Sequence, residues 1–132
     1  MRKFLLIAVL ILPLAAEHVH WLGDYKKAHQ KALREEKMLL VLVAEPNSPK
    51  TASLLKTVFM DRPYIDKINK RVVAVIVYSG SQSSYPVEMY YTRAFPTLFF
   101  VDPRQELFLA PPLYAQAICP ERLSIMFSKS SK

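Results

Sequence analysis

The sequence predicts an α/β domain in which a mixed sheet is covered by helices. Three observations carry this. Two apolar runs of strand length, Met38 to Ala44 and Arg71 to Tyr78, are separated by helical segments, as expected for strands buried on both sides and joined by a right-handed crossover. A third apolar run, Pro96 to Val101, is followed after a four-residue turn by Glu106 to Ala110, which reads as an antiparallel hairpin. An amphipathic segment after Pro120 closes the chain, with Leu123, Ile125, Met126 and Phe127 as its apolar side.

The elements follow in order. Arg2 and Lys3, the apolar run Phe4 to Leu12 and the small residues Ala15 and Ala16 have the layout of an export signal, too short to span a bilayer. Cleavage is expected after Ala16 or one residue earlier; the alternative is an uncleaved anchor or a buried first helix. Residues 17–132 then suit one domain with a single core. Asp24 caps a predicted helix over 25–36 that buries Tyr25, Ala28, Ala32 and Leu33. After the strand over 38–44, Glu45-Pro46-Asn47 breaks the chain, and a helix from Ser48 or Pro49 to about Met60 buries Leu54, Leu55, Val58 and Phe59. A short helix over 61–69 turns Tyr64, Ile65 and Ile68 inward, residues 79–84 form a polar loop, and Pro86 to Thr92 reads as a short helix.

Composition excludes several classes. The formal charge of +7 falls to +5 once Arg2 and Lys3 leave, and the basic residues that remain are scattered. Nucleic-acid binding wants a concentrated stripe or a reading motif, and neither is present. A basic surface of this kind has only weak, nonspecific attraction for anionic membranes. The single cysteine, Cys119, cannot form an internal bridge, so packing alone must hold the domain.

Phe95-Pro96-Thr97 is the most telling stretch. Proline lacks a backbone donor and avoids strand interiors, so a proline opening a buried strand points to a special turn, with a cis bond as one way to build it. Taken with Trp21 ahead of Asp24-Tyr25-Lys26-Lys27-Ala28, Lys37 leading into Met38 to Val41, and Phe59-Met60-Asp61 followed by Ile65 and Ile68-Asn69, the chain resembles the thioredoxin superfamily. The likeness to thioredoxin-like proteins of bacterial envelopes covers nearly all of residues 17–132.

The resemblance implies a thioredoxin-like fold and a set of site positions. Ser48 stands where the family's nucleophilic cysteine would be and Thr51 where the resolving one would be, so Cys-x-x-Cys is replaced by Ser48-Pro49-Lys50-Thr51. Pro96 takes the place of the cis-proline, and Phe95 the position whose backbone pairs with an extended substrate. Thiol-disulfide exchange needs a thiolate, which neither Ser48 nor Thr51 supplies. Residue chemistry gives Ser48 a plainer role, as the cap of a helix with Pro49 at its first position, accepting from the Lys50 or Thr51 amide. No nucleophile-elbow pattern surrounds it.

Cys119 precedes Pro120 at the start of the last predicted helix, where amide dipoles can activate a thiol; if the hairpin forms, it lies at the Ser48 end of the sheet. A lone cysteine is also commonly buried and inert. His18, His20 and His29 sit early in the chain. A cut after Ala15 would make His18 third from the free amine, an arrangement that chelates Cu(II) or Ni(II), but two neighbouring histidines fall short of a zinc set. No metal or cofactor is expected. The leading reading is a secreted or periplasmic, redox-inactive module that binds protein or peptide segments through Phe95, Pro96, Tyr85 and Tyr91, as a chaperone or assembly subunit. The alternatives are a thiol oxidoreductase or redox partner acting through Cys119, and a purely structural subunit of an envelope complex.

Overall fold

A computed structural model of the chain describes residues 19–59, 62–80 and 85–129. The expected signal segment 1–16, His18, the tip of the 79–84 loop and the Lys132 tail lie outside them. The order is β1 (Trp21–Leu22), α1 (Tyr25–Glu35), β2 (Met38–Ala44), α2 (Pro49–Thr57), α3 (Arg62–Arg71), β3 (Val72–Tyr78), β4 (Thr97–Asp102), β5 (Leu107–Phe108) and β6 (Leu113–Tyr114), then a 3-10 turn over Ala115–Ala117 and α4 (Pro120–Lys129).

The sheet runs β1-β3-β2-β4-β5, with β6 also on β4. β2 pairs in parallel with β3 along its whole length, Met38 opposite Val72 through Ala44 opposite Tyr78. β4 returns antiparallel on the other side of β2, with Val43 opposite Thr97. The predicted mixed sheet flanked by helices is therefore the observed one. Its middle is dry because β2 and β4 alternate apolar residues to both faces: Leu40, Leu42, Leu98 and Phe100 join one cluster with Phe59, Leu123 and Phe127. Leu39, Val41, Phe99 and Val101 join the other with Tyr25, Ala28, Ala32 and Tyr90. Burying each of the valine, leucine and phenylalanine side chains among these stabilises by roughly 1.5–3 kcal/mol, which lets a bridge-free domain hold together.

Local chemistry sets the helix ends. The Asp24 side chain accepts from the Lys27 N–H at 3.1 Å, and α1 stops at Glu36, a left-handed cap with φ 57°. Ala28 and Ala32 have no exposed surface, so α1 lies close on the sheet. Lys37 Nζ donates to the Asn69 carbonyl at 3.2 Å, tying the entry of β2 to α3.

Several expectations need correction. A two-residue strand, β1, pairs Trp21 with Ala74 and Leu22 with Val75 ahead of α1; it is too short to show a period of two. Leu33 is 39% and Ile125 53% exposed, so neither belongs to a buried face. α2 ends at Thr57, and of its expected core residues only Phe59 is buried, while Leu54, Leu55 and Val58 stay half-exposed because one flank of the helix faces an open depression. Pro86 to Thr92 makes a turn in which the Met89 and Tyr90 N–H groups both donate to the Pro86 carbonyl, at 3.1 and 3.2 Å, not a helix. The expected strand over 106–110 shortens to Leu107–Phe108 opposite Asp102 and Val101, with one further bond from the Leu109 N–H to the Phe100 carbonyl at 2.7 Å. Pro111-Pro112 interrupts the ladder, and pairing resumes with Leu113 opposite Leu98 and Tyr114 opposite Thr97.

Candidate functional site

The register gathers the site at one end of the sheet. β2 delivers the chain to Ser48, and β4 starts from the same end because Thr97 stands opposite Val43. The Phe95-Pro96 peptide is cis. Hydroxyls hold this corner. Thr97, with no exposed surface, donates to the Ala94 carbonyl; Thr92 Oγ1 lies 2.9 Å from Thr97 Oγ1 and accepts the Ala94 N–H at 3.2 Å. The Pro96 carbonyl accepts the Ala115 N–H at 2.8 Å, and Ala115 takes φ 46° to supply it. By contrast, the Phe95 backbone N–H and C=O make no hydrogen bond with any described residue. They are a ready donor–acceptor pair at the end of a strand.

Ser48 caps α2: its Oγ accepts from the Thr51 N–H at 3.4 Å, with Pro49 at the first helical position. That hydroxyl is occupied in holding the helix. Thr51 is 4% exposed, and its Oγ1 finds no hydrogen-bond partner, an uncommon state for a buried hydroxyl. Cys119, half-buried and unbridged, sits just before α4 with its carbonyl accepting from the Leu123 N–H at 3.0 Å. Because β6 ends opposite Thr97, the chain reaches Cys119 from the Pro96 end of the sheet.

Two depressions flank the cis-proline corner. One, of about 360 Å³, is lined by Tyr85, Tyr91, Phe95, Val87 and Ser79 among others, with no charged side chain from the described residues. The other, of about 560 Å³, lies between α2 and the 3-10 turn and is lined by Leu54, Val58, Pro96, Ala115, Ile118 and Lys50 among others. A third, lined by Ser48, Pro49, Lys50, Glu45 and Ser79, connects them. Phe95, Tyr85 and Tyr91 thus come together, Pro96 opens to the opposite side, and Ser48 lies between. Sequence reasoning did not single out Lys50 as a wall of the site, nor Ala115 and Ile118, whose place depends on the short β6 that no pattern announced. Tyr90 belongs to the core at 1% exposure.

On the far side of the tyrosine depression, the Tyr25 and Tyr90 hydroxyls lie 2.8 Å apart. Burial pushes the Tyr25 phenol above its ordinary value, partly offset by its hydrogen bond to Tyr90. Burial and then that same bond push the Tyr90 phenol far higher. His29 stacks on Tyr25 and contacts the Pro103 carbonyl through Nε2 at 2.8 Å; a carbonyl only accepts, so Nε2 carries the proton. The His20 N–H donates to Asn69 Oδ1 at 3.1 Å. Among the described residues, no group of three His, Cys, Asp or Glu side chains could hold a metal ion, and no helix is long and apolar enough to cross a membrane.

No family model and no curated protein matches the chain. Solved structures do. A protein of Bacteroides thetaiotaomicron described as a disulphide-isomerase superposes with a TM-score of 0.68 at 22% identity, over 89% of this chain and 98% of its own. A DsbH oxidoreductase gives 0.68 at 15% identity, over 98% and 94%. A thioredoxin from Thermus thermophilus gives 0.68 at 18% identity, over 87% and 89%. At these identities the likeness speaks for architecture. The chain has a thioredoxin-like fold.

Proposed function

We propose that the protein is an exported thioredoxin-like module with a degenerate active site, which binds protein segments without exchanging electrons, as a chaperone or assembly subunit does. The observation that carries this is the pairing of an open strand end with a site that has no dithiol. At Phe95 a backbone donor and acceptor, unpaired with any described residue, stand beside the cis-proline, the arrangement by which an extended chain adds to a sheet. At the neighbouring helix start, Ser48 is engaged as a cap and Thr51 is buried, and neither offers a thiolate. Recognition persists where catalysis has gone. Export rests on the layout of residues 1–16.

A second reading gives the chemistry to Cys119, favoured by one observation: Ile118, its neighbour, lines the same depression as Pro96. Reduction of insulin by dithiothreitol separates the two. The binding reading expects no acceleration above the uncatalysed rate, together with capture of unfolded polypeptide measured by suppression of its aggregation. Acceleration that disappears in Cys119→Ala would overturn it in favour of the thiol reading.

A further inference from the structure

The two sides of the platform differ in chemistry, and strand geometry converts that difference into a sequence preference. Along β4, odd residues (Phe99, Val101) face one core cluster and even residues (Leu98, Phe100) the other. The alternation continues through the corner, because Phe95 lines the tyrosine depression and Pro96 the one beside α2. A chain paired antiparallel with Phe95 places the residue directly opposite it on Phe95's own face, and its neighbours on the other face. The opposite residue thus enters a depression walled by Tyr85, Tyr91 and Val87 with no charged side chain from the described residues. A neighbour enters the depression where Lys50 is the sole charged group among the described residues and Leu54 and Ile118 form an apolar wall. Glu45 lines only the passage between the two, together with Lys50.

From this, and resting on the binding reading above, we infer that the bound segment is an extended chain with a large uncharged apolar or aromatic residue opposite Phe95 and an acidic residue next to it. A lysine or arginine in the central place would lose its hydration against rings that offer no counter-charge. A basic neighbour would meet Lys50. The net charge of +5 that is left once Arg2 and Lys3 are removed with the signal adds a general attraction for acidic partners, and Lys50 makes the preference local.

The test uses the full chain and three dye-labelled, end-blocked peptides, Thr-Glu-Phe-Glu-Thr, Thr-Lys-Phe-Lys-Thr and Thr-Glu-Lys-Glu-Thr, titrated by fluorescence anisotropy. The first should bind best, with the second weaker by about three- to fivefold, the scale of an exposed ion pair. Lys50→Glu should abolish or reverse that preference, and Tyr91→Ala should weaken the first peptide by about fivefold or more. Both residues are exposed, Tyr91 at 66%, so the variants keep the fold. Equal binding of the first two peptides, or a preference for the first that survives in Lys50→Glu, would overturn this inference and leave the binding reading standing. Failure of all three peptides, together with failure to suppress aggregation, would overturn both.

Discussion

Among the described residues, Thr51 is the buried side chain of the site whose polar group goes unmet. A buried hydroxyl without a partner costs about 1–3 kcal/mol relative to one that is satisfied, and Thr51 Oγ1 is such a hydroxyl. Ser48 differs, because its oxygen replaces a missing partner for a helix amide. Replacing Thr51 by valine keeps shape and branching while removing the unsatisfied group, so Thr51→Val should stabilise the domain by about 1 kcal/mol. Urea unfolding followed by the fluorescence of Trp21, the single tryptophan, which packs edge-on against Phe59 at 5.1 Å, measures it. A loss of stability would mean that the hydroxyl is satisfied in solution. Residue chemistry made Ser48 legible as a cap, since serine before proline at a helix start has few other uses. It could not reveal Thr51's isolation, because the absence of a partner is a property of the packed neighbourhood.

At the scale of elements, what could be read depended on length. β2, β3 and β4 were legible because seven, seven and six residues of unbroken apolar character have few alternatives to a buried strand. β1, β5 and β6, at two residues each, are fixed only by what they pair with. The misread segment at Pro86 to Thr92 shows the same limit, since its one turn ends where Thr92 bonds to Ala94 and Thr97. That turn is held to α1 by the Tyr25–Tyr90 hydrogen bond, which makes the clamp between these two elements sensitive to alkali. Both phenols have folded pKa values above the ordinary 10.0, so the native state keeps protons that the unfolded state releases. Their contribution is complete below pH 10 and declines as pH rises above it. Two of the seven tyrosines should therefore withhold their phenolate absorbance until the domain unfolds. A Tyr25→Phe/Tyr90→Phe double variant should lose stability less steeply above pH 10 than the parent. Titration of all seven phenols in the folded state would contradict the buried pair.

For the whole molecule, the fold places three separate stretches of sequence at one end of the sheet. The β2–α2 junction presents Ser48 and Thr51, neither of them a thiol, beside the corner at Phe95-Pro96 and the wall supplied by Ala115 and Ile118. If two thiols are all that the proposed binding module lacks for exchange, placing them at these positions should introduce it. Cα atoms three positions apart on a helix lie about 5 Å from each other, inside the Cα span of about 4.4–6.8 Å that a disulfide tolerates, and the amide dipoles at the start of α2 favour a thiolate at position 48. Ser48→Cys/Thr51→Cys, built on Cys119→Ala so that no third thiol confuses the readout, should accelerate insulin reduction clearly above the uncatalysed rate. Either single cysteine on the same background should do so far less, because one thiol cannot resolve its own mixed disulfide. A folded double variant with no acceleration would show that what keeps this chain from exchanging thiols extends beyond two side chains, into the depressions around Pro96.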